Sequence, residues 1–326
     1  MTTATDALAA AADAARLAPS VHNTQPWRWV VDGDRMELFA VPERQLAEQD
    51  PDGRLMVLSC GAALHHALVA LAAAGWKASV TRDAGEPLAV IQAVAHEPAD
   101  PHDMHRLQLL QVRRTDRRVV TDEPVAPAAL EALAAAARRG GARLHVLNRD
   151  QVLQLAVMIE HSGEAQRHDA KMQAETAQWA GGSRPDGTGI PAVSLPAETP
   201  LTTVAERDFG VAGALAAGGG HDSAANYAIL YGEGDERSDW LAAGEALGEL
   251  WLVATGRGTA VLPLSSPVEL DFTRVALRRM LGDVGWPYLV LRLGIADPEH
   301  AGPPHTPRLP ASAVVSVLPG SGNRAV

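Results

Sequence analysis

A four-residue echo constrains this chain more than any other feature of its sequence. Gly61-Ala62-Ala63-Leu64 and Gly244-Glu245-Ala246-Leu247 stand 183 positions apart, each inside a long apolar stretch. The same offset lays Gly75 on Gly258, and both glycines stand between such a stretch and a strand-like run. Glycine just past a helix is the usual stop, because it enters the left-handed region without a Cβ penalty. A second offset, of 122, lays Ala7-Leu8 on Ala129-Leu130 and Arg16 on Arg138. Ala-rich helices match one another cheaply, so this second match is weak alone. The shared order of helix, strand, helix, strand favours internal duplication.

Periodicity and breaker residues predict helices over residues 5–18, 55–74, 103–113, 127–139, from about 150, over 240–255 and over 272–281. The first is expected to stop where Pro19 forbids the α conformation before it. Strands are predicted over 27–31, 36–41, 77–81, 88–95, 143–147, 226–231, 259–264, 288–293 and around 312–318. Strands mixed with helices, without regular βαβ alternation, place the chain in the α+β class. The first half is read as 1–112 and the second as 113–326. Residues 181–220 are rich in Gly, Pro, Ser and Thr and show no regular pattern. So long an irregular stretch inside a domain is a lid, a binding loop or disorder, and a lid is expected.

Composition excludes more than it assigns. Twenty-eight basic residues against 39 acidic ones give a net charge of −11, with no long basic run, which argues against nucleic acid or an anionic membrane as partner. Cys60 is the sole cysteine, so an intramolecular disulfide and a Cys-based zinc cage are both impossible. The first 18 residues carry Asp6 and Asp13 and no early Lys or Arg, which reads as a helix rather than a signal peptide. No apolar run is expected to reach the roughly 20 residues of a membrane span, and the cytoplasm is the expected location. His102 and His105 beside Asp103 have metal-ligand spacing, but no third ligand is placed by sequence, and no metal is expected.

The most specific stretch is Ala18-Pro19-Ser20-Val21-His22-Asn23-Thr24-Gln25-Pro26-Trp27. Two prolines stiffen it, and its short polar side chains suit the edge of a planar heterocycle; a capping loop into the strand at Trp27 would use the same residue types. It resembles the Ala-Pro-Ser-x-x-Asn-x-Gln-Pro-Trp loop of the nitroreductase family, FMN enzymes that are normally homodimers. Arg113-Arg114-Thr115-Asp116-Arg117-Arg118 resembles the family's Arg-Arg-Ser-x-Arg signature, with Thr115 in place of Ser, and Pro307-Arg308 resembles its C-terminal Pro-Arg. The resemblance looks closest to the Acg-like actinobacterial branch, in which both halves of the dimer lie in one polypeptide.

That resemblance implies a duplicated nitroreductase-like fold in which one chain mimics the homodimer. It implies an FMN site formed by Pro19, Ser20, Val21, His22, Asn23 and Gln25 from the loop. Arg113, Arg114, Thr115, Arg117, Leu264, Ser265 and Arg308 would complete it. The signatures are complementary: the first half keeps the loop but has no Arg-rich start, and the second has the Arg-rich start but Gly141-Ala142 where Pro19-Ser20 should recur. One flavin per chain is therefore expected. Flavin carries the redox chemistry, so no catalytic side chain is named. Expected partners are FMN, NAD(P)H and a small aromatic acceptor, a nitroaromatic or a quinone. The alternative is a protein that stores or sequesters FMN without turnover.

Overall fold

The computed structural model describes residues 2–182, 184, 186–200, 202–216, 218, 221–297 and 303–319. Thr3 and Asp6 form a reciprocal capping box that starts α1 (Ala4–Ala15). An apolar face of Ala7, Leu8, Ala11, Ala12 and Ala15 turns inward. β1 (Trp27–Asp32), β2 (Arg35–Ala40), α2 (Arg54–Ala73), β3 (Trp76–Arg82), β4 (Ala89–His96) and α3 (Pro101–Val112) follow. Then α4 (Pro127–Arg139), β5 (Arg143–Val146), α5 (Arg149–His168), α6 (Ala170–Trp179) and β6 (Asn226–Gly232) lead to α7 (Arg237–Gly256). The chain closes with β7 (Thr259–Leu264), α8 (Ser266–Glu269), α9 (Asp271–Met280), β8 (Trp286–Ile295), α10 (Ala311–Val314) and β9 (Val315–Val317).

Two sheets carry the duplication. The first has the order β3-β4-β2-β1-β9 and the second β5-β6-β8-β7. Reading β5, β6, β7 and β8 as the counterparts of β1, β2, β3 and β4 makes the orders identical apart from β9. That strand comes from the end of the chain yet pairs in parallel with β1, Trp29 opposite Val315. All other pairings within the two sheets are antiparallel, in keeping with the α+β reading.

Between the sheets, α2 and α7 make the most extensive helix contact in the molecule. Both are apolar almost all round, which is the pattern of a helix buried on every side. α2 is in fact long and apolar enough to cross a membrane, against the expectation that no segment would be. Its apolar surface is spent in the core instead, where Val57, Cys60, Ala63, Leu64 and Ala67 are at most 1% exposed.

Three other expectations are corrected. α1 ends at Ala15 and not Ala18. The carbonyls that continued helix would have used accept from arginines instead: Arg308 Nε donates to Arg16 O at 2.7 Å and Arg113 Nη2 to Leu17 O at 3.1 Å. The single helix expected from about 150 is two, because Asp169 leaves helical geometry and its side chain caps α6 at Lys171 and Met172. Most of the strand expected around 312–318 is also split, with α10 preceding a three-residue β9.

The irregular stretch is packed rather than loose. Its described residues form parallel bridges between Ala180 and Ile190 and between Pro196 and Leu215. Ala180, Ile190 and Leu195 build a small core of their own against Phe209. Ser183, Pro185, Leu201, Ala217, Gly219 and Gly220 lie outside the described residues.

Candidate functional site

Three residues of the loop after α1 stand at positive φ without being glycine: His22 (45°), Asn23 (56°) and Gln25 (51°). Such backbone is uncommon and persists where the surroundings hold it. Here they do. Ser20 Oγ accepts from Gln25 N at 2.9 Å, and Ser59 Oγ of α2 accepts from Val21 N at 3.3 Å. The Asn23 amide donates to Gly189 O at 2.9 Å and Pro307 O at 3.1 Å, while its oxygen accepts from Arg308 at 3.0 Å. Gln25 donates to Gly187 O at 2.9 Å and accepts from Leu309 N at 2.9 Å. Both amides are thus committed to the irregular segment and the C-terminal run. Gln25 is fully buried and lines neither part of the cavity described next.

That cavity lies between the halves and has two adjoining parts. The first is apolar: Val21 from the loop, Leu55 and Leu58 from α2, Leu247 and Trp251 from α7, and Leu262 and Leu264 from β7 are among its walls. Ser20, Ser59, Thr115, Ser265 and Ser266 give it hydroxyls at the edge. The second part is cationic, bounded by Arg113, Arg114, Arg117 and Arg308 together with Thr306 and His305. Pro19, Ser20, His22, Thr115 and Arg117 line both.

Arg113 is the most telling group. Its guanidinium is buried over the Trp251 ring at 4.4 Å, with one bond to Leu17 O, and its Nε and Nη1 have no partner. Burial and the nearby Arg308 push its pKa down to about 9. Arg308 is pushed down to about 10 by burial and by Arg16. A buried unpaired cation costs several kcal/mol, and with the Arg308 guanidinium beside it the site suits an anion that would pair both. His22 is also buried with both ring nitrogens unpartnered; burial, then the charges of Arg207 and Arg117, hold its pKa well below the usual range. It is neutral at physiological pH.

Arg114 sits at the rim, donating to His305 Nε2 at 3.2 Å and Pro303 O at 3.1 Å. Arg117 donates to Ser194 O at 3.3 Å and faces the Phe209 ring. Asp116 and Arg118 turn away from the cavity and pair with each other at 2.7 Å. The structure therefore brings together every expected residue except Gln25.

Several wall residues were not legible in the sequence. Leu55, Leu58, Leu247 and Trp251 sit in uniformly apolar helices, where nothing separates a cavity wall from core. Glu206, Arg207 and Phe209 come from the irregular segment, which no periodicity places. Arg207 is anchored by Glu269 and by Gln49 Oε1 at 2.9 Å. Glu206 pairs with Arg292 at 2.6 Å.

The chain matches no family model. Among curated relatives, a Mycobacterium tuberculosis (strain H37Rv) protein provisionally named NAD(P)H nitroreductase Rv3131 is 38% identical over 315 residues, 91% of this chain and 88% of that one. A second from the same strain, provisionally named NAD(P)H nitroreductase acg, is 33% identical over 322 residues, 96% of each chain. Among solved structures, the FMN and NADPH-dependent nitroreductase NfnB from sphigopyxis sp. strain HMH overlaps 65% of this chain and 97% of its own, at 16% identity and a TM-score of 0.42. A nitroreductase with bound FMN from Bacteroides fragilis NCTC 9343 overlaps 60% and 90%, at 16% identity and a TM-score of 0.38.

Proposed function

The chain belongs to the nitroreductase family of its mycobacterial relatives, and from that premise we propose that it is an FMN-dependent oxidoreductase. It takes hydride from NAD(P)H and passes electrons to a small aromatic acceptor, a nitroaromatic or a quinone. The observation that carries this reading is the buried Arg113 guanidinium, two of whose three nitrogens lack a partner, converging with Arg308 on the cationic end of a cavity whose other end is apolar. A flavin monophosphate has that distribution: a dianion at one end and a planar ring at the other. Arg113, Arg114, Arg308 and Thr306 would hold the phosphate, and Val21, Leu58, Leu247, Trp251 and Leu264 the ring, with Ser20, Thr115 and Ser265 at its polar edge. Bound there, FMN would supply the two-electron chemistry; the protein orients it, neutralises its charge and keeps water away.

One site per chain is part of the proposal. The position matching Ser265 in the first half is Arg82, which forks onto Glu245 at 2.6 and 2.7 Å. Between α4 and β5 only Gly140, Gly141 and Ala142 remain, with no room for a copy of the 18–26 loop. The halves are proposed to divide as 1–112 and 113–326, the latter lending β9 to the former. Burial of α2 supports the proposed cytoplasmic location.

A second reading has one specific observation behind it. The segment from 180 to 225 places Ile190, Ser194, Glu206, Arg207 and Phe209 on the cavity walls and is tied down by buried ion pairs. A cover held that firmly suits a protein that stores flavin. Steady-state oxidation of NADH and NADPH by FMN-loaded protein, with nitroaromatic and quinone acceptors, separates the two. Turnover with any acceptor supports the oxidoreductase; tight FMN binding with no reduction by either nucleotide supports storage.

A further inference from the structure

Among the described residues lining the apolar part of the cavity, Glu206 is the one carboxylic acid. It also lines a larger groove outside, between α5, α6 and residues 205–210, where Arg207, Phe209 and Ser266 accompany it. The Glu206 side chain, 11% exposed, therefore borders both the cavity and the larger groove beside it. It is held there by Arg292 of β8, whose Nη1 donates to Glu206 Oε1 at 2.6 Å and to Asp222 Oδ2 at 2.7 Å. The other end of the Arg292 fork donates to the carbonyls of Asp116 and Arg118 at 3.1 and 2.6 Å. That much fixed bonding around one cavity-facing carboxyl needs a reason.

We propose that Glu206 is the proton donor to the acceptor in the oxidoreductase reaction, relaying protons from the groove into the covered cavity. The inference rests on the function proposed above. Reduction of a quinone to its hydroquinone adds one hydride and one further proton. Bound FMN would supply the hydride, which the nicotinamide nucleotide provides. The proton comes from the Glu206 carboxyl: its O–H bond breaks as a new O–H forms on the quinone oxygen. The carboxylate left behind is paired with Arg292 and regains its proton from water in the groove.

The alternatives in the cavity are poor acids. His22 is held neutral by burial and by the charges of Arg207 and Arg117, and neither ring nitrogen has a partner from which to be recharged. Guanidinium groups are too weak as acids to serve, and the serine and threonine hydroxyls are weaker still. Burial pushes Glu206 up to about 7; Arg292 and Arg117 pull against that rise, and Asp222 and Asp116 reinforce it. A donor poised near the working pH is where general acid catalysis is most effective.

The test uses FMN-loaded protein whose flavin is reduced by light without oxygen, then mixed with 1,4-benzoquinone from about pH 5 to about pH 9. Light reduction bypasses NAD(P)H, so failure with the nucleotides would sink the donor half of the proposed function without touching this result. For the native protein the reoxidation rate should fall tenfold per pH unit above about 7. Glu206→Gln, which keeps an acceptor for Arg292, should slow reoxidation by at least about tenfold and lose the break, and Glu206→Asp should restore it. Independently of turnover, the thermal midpoint of flavin-free native protein should drop between about pH 4.5 and about pH 7, and less so in Glu206→Gln. A native profile with no break, or a Glu206→Gln profile that keeps the native rate and break, overturns the proposal. So does equal slowing in both variants with the native break retained, because the residue is then only a brace for Arg292.

Discussion

Gly61 of α2 and Gly244 of α7 lie in backbone contact where the two helices cross. A Cβ built on Gly61 would fall 2.0 Å from Leu241 O and 3.0 Å from Gly244 Cα; one built on Gly244 would fall 1.9 Å from Leu58 O and 2.8 Å from Gly61 Cα. Leu58 and Leu241 are themselves 183 positions apart. The contact is reciprocal, as it would be across the axis of a symmetric dimer. The four-residue echo at 61–64 and 244–247 is thus the point where the two halves touch.

Gly61→Ala and Gly244→Ala should each destabilise the protein by about 1–3 kcal/mol, since the clash is with backbone that cannot rotate away. Gly182→Ala, at a position with open space around it, serves as the control. Urea unfolding measures all three. Variants as stable as the control would mean that the helices cross less closely than described.

Arg113→Met should weaken FMN binding by about 10–100-fold, through loss of a charge-assisted contact worth about 1.5–3 kcal/mol. Its effect on the flavin-free protein should have the opposite sign, because it removes a buried cation with two unpaired nitrogens. Arg308→Ala should weaken FMN comparably but also destabilise the free protein, as Arg308 caps carbonyls at Arg16 and Leu17 and holds Asn23. Arg114→Ala and Arg117→Ala should weaken FMN more mildly. Flavin titration with thermal unfolding reads both signs, and unchanged affinity throughout would return the arginine run to a structural role.

Removing residues 183–197 should leave the two main cores intact, since neither contains a residue of that segment. It strips Ile190 and Ser194 from the cationic end of the cavity and frees Asn23 and Gln25 from Gly187 and Gly189. FMN release and flavin reduction by NAD(P)H should both accelerate. Stopped-flow measurement on intact and shortened protein decides it; equal rates with unchanged circular dichroism would deny the segment any gating role.

A buried and a half-buried carboxyl should shape stability at different pH. Burial pushes Asp50 up to about 7 even though it accepts from Leu55 N and Met56 N. A raised carboxyl contributes stability that is complete below its unfolded value and lost as pH climbs through the folded one. Asp50→Asn should therefore reduce the loss seen between about pH 4 and about pH 7. Glu249 is the reverse: burial raises it, but His65, Arg106 and Arg139 outweigh that and hold it at about 2. Its contribution is present above about pH 4.5 and lost toward pH 2, so Glu249→Gln should flatten the acid side. Thermal midpoints across pH, compared with the native protein, test both signs.

Much of the fold was legible because it rests on local physics. The bounds of α4 and β7 match the sequence expectation to the residue, since Pro127 starts the helix, Gly140 ends it and Gly258 breaks before the strand. That Arg113, Arg308 and the 19–22 loop would meet was legible only through the resemblance of their motifs to a known family, because each stretch alone also suits a helix end or a capping loop.

Other features depend on contacts between distant residues, and no local pattern encodes those. Where α1 stops is set by guanidinium groups from positions 113 and 308. Asn23 and Gln25 read as ligand-facing amides until the structure committed them to backbone at 187, 189, 307 and 309. The irregular stretch has no period to read, so that Glu206 and Phe209 face the cavity emerges only once Arg292 and Glu269 anchor their neighbourhood. Sequence by itself determined the duplicated order of elements, most of the helices and strands, and the residue types of the site. Tertiary structure decided which of those residues meet, because burial and pairing free energies belong to neighbours in space.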